Sequence, residues 1–102
     1  MSPLLQRQLE FARKMSVLKY WMMSQGMTWK EGRSLCCKEC SKPTSLHRQS
    51  LAQDLLLFVD GVYQTQTEQY RVIGEKWESL GGSWGGRWND GNHFSLEWGG
   101  KR

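Results

Sequence analysis

Apolar residues recur at helical spacing along the first quarter of the chain: Leu5, Leu9, Ala12, Met15 and Leu18, then Trp21 and Met22. That period predicts one amphipathic helix over residues 4–25. Pro3 suits its first turn and Gly26 its end. The pattern then breaks. Met27-Thr28-Trp29 is compatible with a short strand, Lys30-Glu31-Gly32-Arg33 reads as a turn or loop, and residues 27–44 give no firm element. The apolar run Leu55–Val59 is separated from Val62-Tyr63 by Asp60-Gly61, which predicts a strand and the start of a hairpin over 51–64. Thr65-x-x-Glu68 resembles a capping box. Tyr70, Ile73, Trp77 and Leu80 return to helical spacing, and Gly81-Gly82 ends that second helix. Residues 83–98 carry Trp84, Trp88, Phe94, Leu96 and Trp98 and read as a closing β segment, turned at Gly85-Gly86 and Asp90-Gly91. Residues 99–102 read as a frayed tail. The fold class is therefore α+β: an N-terminal helix, a small mainly antiparallel sheet, and a second helix packed on it.

Length adds that 102 residues make one domain with a small core. The net charge of +4 suits an anionic partner such as a cell-wall polymer, but equally serves solubility. Nucleic acid is not indicated, because Lys and Arg are scattered and the aromatics follow core-like spacing. No run is long and apolar enough to span a bilayer, so no membrane insertion is expected. Arg7, Glu10, Arg13 and Lys14 interrupt the N-terminus too early for a secretory signal, so the product is expected to start in the cytoplasm. The three cysteines, Cys36, Cys37 and Cys40, form one cluster and no complete disulfide framework.

The chemistry gathers in Ser45–Asp54. His47 and Asp54 lie seven residues apart, and Asp54 opens the apolar run, where a carboxylate is costly to bury unless paired or metal-bound. Two histidines and one aspartate, with His93 as the second histidine, can make a zinc site with an open fourth position. Along a straight strand seven residues span roughly 23 Å, so His47 reaches the metal only from a loop or strand that folds back beside Asp54. Spacing alone favours a surface histidine and an unrelated strand-end aspartate. A strand from His93 puts His93, Ser95 and Glu97 on one face, making Glu97 a rival to Asp90, which sits in an Asp-Gly turn. Cys37-x-x-Cys40 with His47 and His93 offers a closed Cys₂His₂ structural zinc site instead; free thiols are the plainer reading, and redox chemistry ranks third. Trp77 and Trp84 read as core. Trp88 and Trp98 can line a groove, but packing is the better account.

Four ordered motifs carry a family resemblance. They are Ser45-x-His47-x-x-Ser50-x-Ala52-x-Asp54; Leu57-Phe58-x-Asp60-Gly61-x-Tyr63; Tyr70-x-x-Ile73-Gly74-x-x-Trp77-x-x-Leu80-Gly81-Gly82; and Trp84-Gly85-Gly86-Arg87-Trp88-x-Asp90-Gly91-Asn92-His93-Phe94. Over residues 45–98 the chain resembles zinc peptidases of the D-Ala-D-Ala carboxypeptidase and L-alanyl-D-glutamate peptidase superfamily, with the hedgehog/DD-peptidase fold. It is most similar in look to short phage or prophage endolysins. The resemblance implies Zn²⁺ held by His47, Asp54 and His93, Asp90 as catalytic acid/base, and Arg33 as the arginine that binds a substrate carbonyl or carboxylate. It implies a peptidoglycan stem peptide as substrate and action on the cell wall after release by another factor such as a holin. The chain is expected to act as a monomer. The family usually carries Gly where this chain has Ser50, and Cys36-Cys37-x-x-Cys40 is not part of its pattern. The other class of function open to the sequence is a non-catalytic zinc-stabilised module that binds cell wall or protein.

Overall fold

Ser2 Oγ accepts a hydrogen bond from Leu5 N–H at 3.1 Å, and Pro3 follows it in the first turn. Helix α1 therefore starts there and runs Pro3–Ser24 in the computed structural model, which describes residues 1–32, 46 and 49–102. Its buried stripe is Phe11, Met15, Leu18 and Met22, one residue every three or four. Leu5 and Leu9, expected on that stripe, are 43% and 39% exposed. They lie on the neighbouring ridge, and Leu4 packs against the core in their place.

Strand β1 covers Thr28–Glu31, so Lys30 and Glu31 extend the strand where their composition predicted a turn. Antiparallel pairing with β2, Ala52–Val59, overrides the local preference, matching Lys30 with Leu56 and Glu31 with Leu55. A Lys19–Glu31 ion pair joins this strand to α1. The Asp60-Gly61 turn leads into β3, Val62–Tyr63, which folds back on β2 as the hairpin signal predicted. In β2, Leu55 and Leu57 are buried, whereas Asp54, Leu56 and Phe58 on the alternate face are partly exposed.

A short 3₁₀ turn, Thr67–Tyr70, precedes helix α2, Arg71–Ser79. The capping box forms one residue later than Thr65-x-x-Glu68: Gln66 caps, and its N–H donates to Gln69 Oε1 at 2.8 Å. Glu68 instead pairs with Arg71. The expected closing β segment is shorter and mixed. It comprises β4, Ser83–Trp84, a 3₁₀ turn over Gly85–Trp88, and β5, His93–Ser95. Sheet order is β1-β2-β5-β4, with β3 paired to β2.

The core sits between the helices and one sheet face. Trp77 is fully buried, with Phe11 and Phe94 meeting it edge-on at 5.8 and 6.4 Å. Trp84 is also buried, as expected, and Trp98 packs against the cluster. Among the described residues no helix is long and apolar enough to cross a membrane.

Two residues generate tests. Tyr70 is buried, accepts a hydrogen bond from Leu57 N–H and donates one to Gln64 O, both 2.9 Å. Burial raises its hydroxyl above the usual tyrosine range. Its contribution to stability is therefore complete below about pH 10 and is lost as pH rises through the folded value. Tyr70→Phe leaves Leu57 N–H unsatisfied and should cost about 1–3 kcal/mol. It should also flatten the alkaline fall in stability, measured by denaturant unfolding from pH 7 to 11. Ser50 has φ +57, the left-handed region. Ser50→Gly should raise stability by about 1 kcal/mol, less some entropy of the freer unfolded chain. A lower melting temperature would contradict this.

Candidate functional site

Asp54 and His93 meet because of strand register. Antiparallel pairing of β2 with β5 sets Ala52 opposite Ser95, Gln53 opposite Phe94 and Asp54 opposite His93. Directly opposed residues present their side chains on the same sheet face. His93 Nδ1 lies 3.8 Å from Asp54 Oδ1, both side chains being largely buried. The distance is too long for a hydrogen bond and suits two donors facing one small cation. Leu55 N–H donates to Asn92 O at 2.9 Å, and Leu96 N–H to Leu51 O at 3.0 Å, closing the pairing at both ends.

The turn before His93 is fixed from three sides. Asp90 N–H donates to Gly85 O at 2.8 Å, and His93 N–H donates to Asp90 O at 3.1 Å. The indole of Trp84 donates to Gly91 O at 2.8 Å. Gly91 N–H donates to Thr67 Oγ1 at 3.2 Å. Asn89, in the left-handed region, ends the 3₁₀ turn. Asp90 is exposed and hangs on this braced loop, one turn before His93. Arg87 reaches back to α2 with two hydrogen bonds to the Glu78 carboxylate at 2.6 and 2.8 Å. That guanidinium holds the Glu78 carboxyl below the usual range.

Of the residues singled out in the sequence, the structure brings together Asp54 and His93 and carries Asp90 on the adjoining turn. His47, Arg33 and the three cysteines lie outside the described residues. Beside His47, Leu46 is buried and its carbonyl accepts from Leu51 N–H at 2.8 Å. The Gln49 carbonyl accepts from Gln8 Nε2 at 2.8 Å. Among the described residues no group of three His, Cys, Asp or Glu assembles to hold a metal ion. Glu97 falls beyond the end of β5 and is exposed, so the strand does not hold it on the His93 face as expected. Three contacts went unread in the sequence: Thr67 to Gly91, Glu78 to Arg87, and Trp88, whose ring meets His93 edge-on at 5.7 Å between centroids.

Gly85 is where this loop leaves no room. A Cβ there would sit 2.2 Å from the Asp90 carbonyl oxygen and 2.7 Å from His93 Cβ. Both obstacles are backbone or backbone-fixed atoms. Gly85→Ala should therefore destabilise by about 1–3 kcal/mol and shift the His93 imidazole resonances in NMR spectra. An unchanged melt and unchanged resonances would show that the loop is not built around the missing side chain.

No curated protein matches the chain. The sequence model of one family, described as D-alanyl-D-alanine carboxypeptidase, matches residues 39–96. That span is more than half of the chain and contains β2, β5, the Asp54–His93 pair and the Asp90 turn. On this match the chain belongs to the D-alanyl-D-alanine carboxypeptidase family, peptidases that act on peptidoglycan.

Proposed function

We propose that the chain is a zinc metallopeptidase that cleaves peptidoglycan stem peptides, either an endolysin-type L-alanyl-D-glutamate peptidase or a D-Ala-D-Ala carboxypeptidase. The observation that supports this most is the Asp54–His93 pair, a carboxylate and an imidazole set opposite each other on neighbouring strands within the family-matched segment. The donor set suits zinc. Two donors at about 2.0–2.2 Å from a tetrahedral ion stand roughly 3.4 Å apart, and Nδ1 and Oδ1 stand 3.8 Å apart. His47 is the third ligand by family position, on the segment flanked by buried Leu46 and by Gln49.

Zinc, when bound, supplies Lewis acidity that polarises the scissile carbonyl and makes water nucleophilic near neutral pH. The remaining work falls to this chain's side chains. The Asp90 carboxylate takes the proton of the attacking water and delivers it to the departing amine nitrogen. Gly85 O accepts from the Asp90 N–H, and Trp84 and Thr67 hold the next residue, Gly91, which keeps Asp90 in step with His93. Arg33 holds the substrate carbonyl or carboxylate with its planar fork.

The test is digestion of purified peptidoglycan with identification of the new termini by mass spectrometry. His93→Ala and Asp54→Ala should each lose tightly bound zinc, while Cys36, Cys37 and Cys40 replaced together by Ser should retain it. Asp90→Asn should keep zinc and fold, and slow hydrolysis by a factor on the order of 10² to 10⁴. Glu97→Gln serves as the control and should cleave normally. Near-normal cleavage by Asp90→Asn with none by Glu97→Gln would transfer the acid/base role to Glu97. A chain that binds zinc and releases no termini is a non-catalytic binding module.

A further inference from the structure

Trp88 stands beside His93 and is 39% exposed in spite of its size. Over its ring sits Arg102, with Cζ 5.1 Å from the centroid. Arg102 is placed there by a built turn, where the composition predicted a frayed tail. Trp98 and Lys101 exchange both backbone hydrogen bonds at 3.0 Å. Between them Gly99 and Gly100 have φ +58 and +79. Two successive left-handed residues are the requirement of a type I′ hairpin turn, which glycine meets without strain. Trp98 packs on the core, so the turn has a fixed base. Arg7, Arg71 and Arg87 are each paired with glutamate. Arg102 pairs with no carboxylate among the described residues. A guanidinium stacked on an indole keeps its fork of N–H donors available at the ring edge, in the geometry that matches a carboxylate.

We propose that Arg102, seated on Trp88, is a further carboxylate-recognition residue of this site, in addition to Arg33. It binds a free carboxylate of a peptide that lies across Trp88 with its scissile bond at the Asp54–His93 pair. The proposal rests on the peptidase reading above. Two ring contacts in series separate the guanidinium from the imidazole, no more than the reach of about three extended residues. The carboxylate recognised is therefore close to the cleaved bond: the terminal carboxylate of the stem peptide or that of its D-Glu.

The experiment is calorimetric titration of the full chain carrying Asp90→Asn, which suppresses turnover. The probes are a synthetic stem tetrapeptide ending in D-Ala as the free acid, as its terminal amide, and with the D-Glu carboxylate amidated. One of the two amides should bind about ten- to a hundredfold more weakly than the acid, and which one identifies the carboxylate. Arg102→Ala in the same background should weaken the acid by that factor and leave the affected amide unchanged, while Arg102→Lys restores only part. Zinc content and melting temperature should stay constant across these variants. Uniform weakening of all three peptides, no weakening, or no measurable binding of the acid overturns the proposal. The peptidase reading fails separately, if the unsubstituted chain releases no termini from peptidoglycan while the Arg102-dependent preference is observed.

Discussion

The pairing register between β2 and β5 is the constraint on which the site depends. In a strand the side-chain period is two, so a slip of one residue would carry His93 to the helix-covered face and Phe94 away from it. The core forbids that slip. Phe94 is fully buried against Trp77, and the Trp77 indole donates to Ser95 O at 2.9 Å and Ser83 O at 3.1 Å. One aromatic side chain thus holds β5 from the hydrophobic side and by its backbone. The polar pair on the opposite face inherits its alignment from packing it does not touch.

The second tryptophan does for the loop what Trp77 does for the strand. A buried indole N–H must find an acceptor or lose the free energy of its desolvation. Trp84 finds Gly91 O, in the turn between Asp90 and His93. Arg71 and Arg87 lie over the same ring, at 5.7 and 5.4 Å, and both are held by glutamates. The half-exposed Glu78–Arg87 pair adds little to stability in water, but it ties the 3₁₀ turn to α2. Because Arg87 depresses the Glu78 carboxyl, that tie is intact above the ordinary glutamate range and is lost only as pH falls through the lower folded value.

Legibility in the sequence followed the strength of local signals. Both helices and the Asp60-Gly61 hairpin were readable because periodicity and turn chemistry are properties of neighbouring residues. The helix face was misjudged by one ridge, since Leu4 and Leu5 satisfy the same period and only the packing partner chooses between them. Lys30 and Glu31 became strand through pairing with Leu55 and Leu56, a contact distant in sequence. The Asp54–His93 pair was legible only through resemblance. Their separation along the chain carries no trace of the register that makes them neighbours. The Gly99-Gly100 turn had a local signature, as two glycines between Trp98 and Lys101 fit a two-residue hairpin loop. Its position at the end of the sequence hid that signal.

How charge is disposed around this frame decides what it adds to recognition. On α1, Glu10 takes Arg7 and Lys14, and its carboxyl is held below the usual range by Lys14 first and Arg7 second. Around α2, Glu68 and Glu78 take Arg71 and Arg87. These cations are neutralised locally and contribute little field beyond a Debye length of about 8 Å in physiological salt. The guanidinium over Trp88 has no such partner among the described residues, and it stands over the ring that borders His93. Among the described residues, that guanidinium therefore stands unpaired at a fixed place, across the Trp88 and His93 rings from the turn that carries the exposed Asp90.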